Sequence, residues 1–184
     1  MSDRMRDPRS VLKLLVLLAL TIGLVVLQPV AADRSSAAWL LVPPLALAFN
    51  FAVSGWIVLL SKVLRIRPPT PDCGISSGEL RLYEALGVRV FKRFLRSGWY
   101  GSIWGPALGK SAKAASLEVL AADMRSAEIA HAIAFALVCL FSLFVLTTGR
   151  WSAAFWLVLC NILINAYPVM LQRYNRHRIF KALD

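Results

Sequence analysis

The sequence predicts an all-α, polytopic membrane protein: four transmembrane helices, with a cytoplasmic amphipathic helical segment between the second and the third. Three observations predict it. The 184 residues are 58% hydrophobic and 17% charged, with a mean hydropathy of +0.63, a composition that cannot supply the polar surface of one soluble globule. Four long runs, Leu14 to Ala32, Ala37 to Leu60, Ile129 to Thr148 and Trp151 to Leu171, contain no Asp, Glu, Lys or Arg in their interiors. The 21 Lys and Arg residues crowd into the segments that an even number of spans would leave on one side.

A spanning helix needs about 20 mostly apolar residues, each adding about 1.5 Å of rise across a hydrocarbon core of roughly 30 Å. Each run meets that length. Helices are expected because the backbone in lipid must satisfy its own hydrogen bonds, and the runs are too continuously apolar for barrel strands. Arg4, Arg6, Arg9 and Lys13 precede the first run, eleven basic residues lie from Lys62 to Arg125, and Arg173, Arg176, Arg178 and Lys181 follow the last. Only Arg34 and Arg150 occupy the short turns. The positive-inside rule then puts both termini and the middle segment on the cytoplasmic side of a bacterial-type inner membrane.

Residues 1–62 are expected to form an N-terminal two-helix hairpin. Its first run, ending in Val30-Ala31-Ala32, has a rival reading as a secretory signal with a small-residue cleavage site. The length of the run and the interruption by Gln28-Pro29 favour a span. In the second run Pro43-Pro44 remove backbone donors and predict a kink.

Residues 63–128 read as a cytoplasmic, interfacial segment. Arg67 to Gly74 is Pro-rich and extended; Ser76 with Glu79 then makes a capping box. Leu80, Tyr83, Leu86, Val90, Phe91 and Phe94 recur at helical spacing opposite Arg81, Lys92, Arg93 and Arg96, the pattern of one basic amphipathic helix lying on lipid. Trp99, Tyr100 and Trp104 continue it as interfacial anchors, with glycines at 98, 101 and 105 bending the loop. Anionic lipid and topology account for the net charge of +11, and no recognition motif accompanies it, so nucleic acid is excluded as a partner.

Residues 129–184 form a second hairpin with a basic tail. Thr147-Thr148-Gly149-Arg150 is too short for anything but a tight antiparallel turn. In the last run Asn161, Asn165, Pro168 and Gln172 are spaced four, three and four apart and share one helix face. Amides in hydrocarbon cost several kcal/mol unless satisfied, so this face must meet protein or water. Interhelical glue would account for it, and so would a polar site. Arg125, Glu128 and His131 recur every three residues at the start of the third run, and ionisable groups there mark a functional edge unless they merely snorkel.

Known chemistry is otherwise missing. There is no Gly-rich phosphate loop, no HExxH, no CxxC and no HxxxxD, and with only His131 and His177 a multi-histidine metal centre is excluded. No cofactor is implied. Cys73, Cys139 and Cys160 are too few and too scattered for a disulfide framework.

Met124 to His131, then Asn161 and Asn165 in an apolar helix, then Pro168 and Gln172-Arg173-Tyr174-Asn175-Arg176-His177-Arg178 resemble the glycosyl-diaponeurosporenoate acyltransferases, membrane enzymes that finish staphyloxanthin-type carotenoids. Leu86 to Trp104, with Val90-Phe91-Lys92, is similar to the family's upstream motif, and the likeness covers about residues 80 to 180. Ser126, Ala132 and His177 depart from the family pattern, and these departures bear on the acceptor.

The resemblance implies transfer of a fatty acyl group to a sugar hydroxyl of a carotenoid or other terpenoid glycoside, giving an acylated glycolipid. Its partners would be an acyl donor, either acyl-CoA or a membrane lipid, and the glycosylated acceptor. Acyl transfer to an alcohol needs a base, oxyanion donors and a low-dielectric place for lipid chains. On that basis His131 is the expected base, with Glu128 orienting it or holding the sugar. Asn161, Asn165 and Gln172 would bind the oxyanion or sugar hydroxyls, and Tyr174 and Asn175, also substrate-binding, would complete the clamp on the donor. Arg125, Arg173, Arg176 and Arg178 would grip the donor phosphate. The alternative is a non-catalytic scaffold or lipid-binding subunit of a membrane complex. A small methyltransferase is weaker still, for want of the expected glutamate pair.

Overall fold

The structure is a computed structural model that describes residues 38–63, 75–97 and 117–183. The first expected span, the Arg67 to Gly74 linker and the aromatic anchors Trp99, Tyr100 and Trp104 lie outside the described residues. Those described are helical, with no strand among them. In chain order they are α1 (Ala38–Val63), α2 (Ser77–Ala85), α3 (Val88–Arg96), α4 (Leu117–Thr147), α5 (Trp151–Asn161), a π-helical turn (Ile162–Ala166) and α6 (Tyr167–Leu183). Three stretches are long and apolar enough to cross a membrane: Leu40–Ser61, Val119–Thr147 and Trp151–Ile179.

The described residues group into two compact units. Among the described residues, the first comprises 38–63 and 130–166, the second 75–97, 117–129 and 167–183. From Tyr167 onward, the tail that the sequence attaches to the last hairpin therefore packs with the middle segment.

In the first unit α1 packs chiefly on α5. Val42, Ala46 and Phe49 of α1, Val138 and Val145 of α4, and Ala153, Ala154, Leu157 and Cys160 of α5 form one buried apolar cluster. Phe49 stacks on Phe141 with ring centroids 4.8 Å apart. α1 runs through Pro43 and Pro44 without ending. The α4 to α5 turn is as tight as expected: Gly149 takes a left-handed φ of 78°, and the Thr148 and Gly149 amides bond back to the carbonyls of Val145 and Leu146.

The π turn has a local cause. Pro168 offers no N–H, and in a regular helix its ring would crowd the Ile164 carbonyl, so one widened turn precedes it. Asn165 sits inside that widened turn.

In the second unit Ile75, Tyr83, Val88, Leu171 and Tyr174 are buried together, with Leu80, Phe91, Leu95 and Met170 packed on them. Ser76 caps α2, its side chain accepting from the Glu79 amide at 3.2 Å. The expected single amphipathic helix is instead two helices of nine residues each, broken at Gly87, which adopts a φ of 78° that an L side chain disfavours. The break changes the face assignment. Tyr83, Leu80 and Phe91 turn inward, whereas Leu82, Leu86, Val90 and Phe94 remain exposed.

Candidate active site

In the first unit, four buried polar side chains, Asn50, Ser54, Asn161 and Asn165, form one connected network. Asn50, Asn161 and Asn165 are each 0% exposed and lie among apolar helices. Asn50 Nδ2 donates to the carbonyls of Ala46 at 2.9 Å and Leu157 at 3.3 Å. Asn161 Nδ2 donates to the Phe135 carbonyl at 3.0 Å and reaches Cys139 Sγ at 3.4 Å. Backbone carbonyls only accept, so these contacts fix both amides with their oxygens turned the other way.

Both oxygens point at Asn165. Its Nδ2 donates to Asn161 Oδ1 at 2.8 Å and to Asn50 Oδ1 at 3.3 Å, which uses its two N–H bonds. Asn165 Oδ1 must therefore be the acceptor in its other contacts. Ser54 Oγ lies 2.7 Å from it, and 2.7 Å from the Asn50 carbonyl, so its single hydrogen is shared between the two. His131 Nδ1 lies 3.1 Å from Asn165 Oδ1. An acceptor opposite Nδ1 requires the Nδ1–H tautomer, which leaves the Nε2 lone pair as the basic nitrogen of a neutral imidazole. His131 itself is half-buried.

The amides thus support the histidine. The N–H groups of Asn161 and Asn165 are spent inside the protein, and Asn165 Oδ1 faces the His131 ring. Asn50 and Ser54 complete this arrangement and were missed by the sequence reading. The signal was present: they are two polar residues four apart on one face of an apolar helix, the same pattern that marks Asn161 and Asn165.

The second unit carries the charged cluster. Glu128 is only 6% exposed and meets Arg125 at 2.8 Å, Arg176 at 3.0 Å and Arg173 at 3.8 Å. Arg173 also meets Glu79 at 3.1 Å, and Glu79 accepts from the Tyr83 hydroxyl. Burial, and next the bond to Glu79, push the Tyr83 phenol up to about 12. Glu128 and His131 share α4 three residues apart, and their side chains take different partners. The expected orienting contact to the histidine comes from Asn165.

The remaining expected residues separate. Tyr174 is buried, and its oxygen accepts from Arg89 Nε at 3.2 Å; Asn175 Oδ1 accepts from Lys92 Nζ at 2.6 Å. The Tyr174 bond, followed by the Glu84 carboxylate, pushes the Arg89 guanidinium up from its ordinary value. Arg178 is exposed and Gln172 half-buried, and Gln172 belongs to neither cluster. Among the described residues no group of His, Cys, Asp and Glu is arranged to hold a metal ion.

A family model described as glycosyl-4,4'-diaponeurosporenoate acyltransferase matches residues 74–184. No curated protein and no solved structure matches the chain.

Proposed function

This chain belongs to the glycosyl-4,4'-diaponeurosporenoate acyltransferase family, and on that premise we propose that it moves a fatty acyl group onto a sugar hydroxyl of a membrane-dissolved carotenoid or related terpenoid glycoside. The chain is an acyltransferase by family, and its helices suit a membrane. The observation that carries the catalytic assignment is the 3.1 Å contact between Asn165 Oδ1 and His131 Nδ1.

His131 Nε2 takes the proton of the sugar hydroxyl as that oxygen bonds to the acyl carbonyl carbon. The imidazolium so formed is held through Nδ1–H by Asn165 Oδ1, a neutral acceptor that keeps the ring oriented. Collapse of the tetrahedral intermediate expels the donor's thiolate or alkoxide, which takes the proton back from Nε2. Asn50, Ser54 and Asn161 fix the orientation of Asn165 and do not touch the substrate. The Glu128 cluster joins α6 to the start of α4, so Arg125, Arg173 and Arg176 are structural cations and Arg178 keeps the donor role.

In the membrane, four spans with both termini and the middle segment on the cytoplasmic side fit the distribution of basic residues. The exposed apolar side chains Leu82, Leu86, Val90 and Phe94 suit contact with lipid at that surface.

The test compares, by mass spectrometry, lipid extracts of carotenoid-glycoside-producing cells expressing the wild-type chain or His131→Ala at equal membrane abundance. A glycolipid gaining one acyl group only with the wild type supports the reading and identifies the acceptor. Identical extracts from two folded proteins would overturn it in favour of a scaffold.

A further inference from the structure

In the second unit a cavity of about 560 Å³ is lined by Arg89, Lys92, Arg93, Tyr174 and Arg178. Four of its five lining residues are cations, and of these Arg89 pairs with Glu84. Two of the cations are held in place, Arg89 by the Tyr174 oxygen and Lys92 by Asn175 Oδ1. Arg93 and Arg178 are exposed, and among the described residues neither pairs with a carboxylate. Tyr174 accepts from Arg89, and among the described residues its own hydroxyl proton meets no acceptor.

Held cations, uncompensated cations and an unused hydroxyl donor around one cavity suit a ligand with several anionic oxygens. The volume lies within the range of about 300–1,000 Å³ usual for sites that enclose an organic ligand, and exceeds what a lone ion requires. Arginine forks bind phosphate oxygens in pairs, and a lysine adds a point charge.

We propose that this cavity binds the phosphate ester of the acyl donor, with Arg93 and Arg178 as its principal contacts and Arg89, Lys92 and Tyr174 completing the cradle. Only the identity of the ligand as acyl donor rests on the acyltransferase reading. The same chemistry is offered by the nucleotide phosphates of a coenzyme thioester and by the phosphodiester of a membrane phospholipid.

The experiment measures equilibrium binding to the full chain in maltoside micelles, which contain no phosphate, with coenzyme A and short-chain phosphatidylglycerol as probes and adenosine as the phosphate-free control. Arg93→Gln with Arg178→Gln removes two pocket charges; Arg81→Gln with Lys181→Gln removes the same charge elsewhere. One phosphate probe is expected to saturate the wild type and bind the pocket variant at least about tenfold more weakly, while the charge control stays at wild type. Loss confined to coenzyme A assigns a nucleotide donor, and loss confined to phosphatidylglycerol assigns a lipid. Equal binding by the pocket variant, equal loss in the charge control, or wild type that binds neither probe overturns the proposal. Should the pocket variant fail to fold, competition on the wild type decides: pyrophosphate must displace the bound probe, and failure to do so is equally fatal. Because no turnover is measured, a chain that transfers no acyl group but still shows pocket-dependent binding refutes the catalytic reading alone.

Discussion

Asn165 presents its side-chain oxygen to His131 Nδ1 at 3.1 Å, and that contact decides which histidine nitrogen is left as a base. The choice is over-determined, because Asn50 and Asn161 are each pinned to backbone carbonyls and each offers an oxygen to the Asn165 amide. A neutral histidine so held carries its lone pair at Nε2, the nitrogen that the proposed proton transfer uses.

Replacing His131 by Ala is therefore expected to cut acyl transfer by about 10²- to 10⁴-fold, the usual worth of a positioned general base. The fold should survive, since the ring is half-buried and its one described polar contact is to Asn165. Product formation in isolated membranes, read beside the thermal unfolding midpoint, checks both halves. Wild-type rates in the variant would remove His131 from the chemistry.

Asn50 tests the support behind the histidine. Asn50→Ala deprives Asn165 Nδ2 of one acceptor in a buried setting, a loss of about 1–3 kcal/mol when a donor is left unsatisfied. It also frees Asn165 to turn its nitrogen toward His131. Turnover should fall with little change in KM for either substrate, because Asn50 is fully buried and bonds to Asn165. A rise in KM at unchanged turnover would place Asn50 in binding instead.

How much of this was legible in the sequence depends on whether a feature lives on one helix or between helices. The last three of the four apolar runs, the tight turn at Gly149 and the shared face of Asn161 and Asn165 are local features, and the described residues have them, whereas the first run lies outside those residues. Which faces meet depends on helix rotation and crossing, so the pairing of Asn50 and Ser54 with Asn165 could not be read from spacing alone. The separation of Glu128 from His131 has the same origin. Three residues at about 100° each leave two side chains roughly 60° apart around a helix, enough to give them different neighbours. The break at Gly87 was visible as a glycine, but the apolar spacing continues across it from Leu86 to Val90, and that continuity suggested one helix.

Glu128 is expected to matter for stability more than for the chemical step. Removing one partner of a buried ion pair costs about 3–5 kcal/mol, and the Glu79 contact retained by Arg173 should keep Glu128→Gln near the lower end. Unfolding by a graded denaturing detergent would measure it. Per folded molecule, the pH dependence of turnover should match the wild type, because His131 takes its orienting bond from Asn165. A displaced pH profile would instead give Glu128 a direct part in the proton transfer.

Tyr83 gives the second unit a signature at high pH. Its phenol is pushed up to about 12 from an ordinary value of 10.0, first by burial and then by its bond to Glu79. Between those values the folded chain keeps a proton that the unfolded chain has lost. Stability must then fall as pH rises from about 10 to about 12, and Tyr83 adds no such dependence below that window, where both states are protonated. Tyr83→Phe removes the titrating group and should flatten this part of the profile, at a cost of about 1 kcal/mol at neutral pH for the lost hydrogen bond. Thermal unfolding followed from pH 9 upward, paired with tyrosinate absorbance, separates the two effects. A wild-type profile that Tyr83→Phe leaves unaltered would mean that the phenol ionises no later in the folded chain than in the unfolded one.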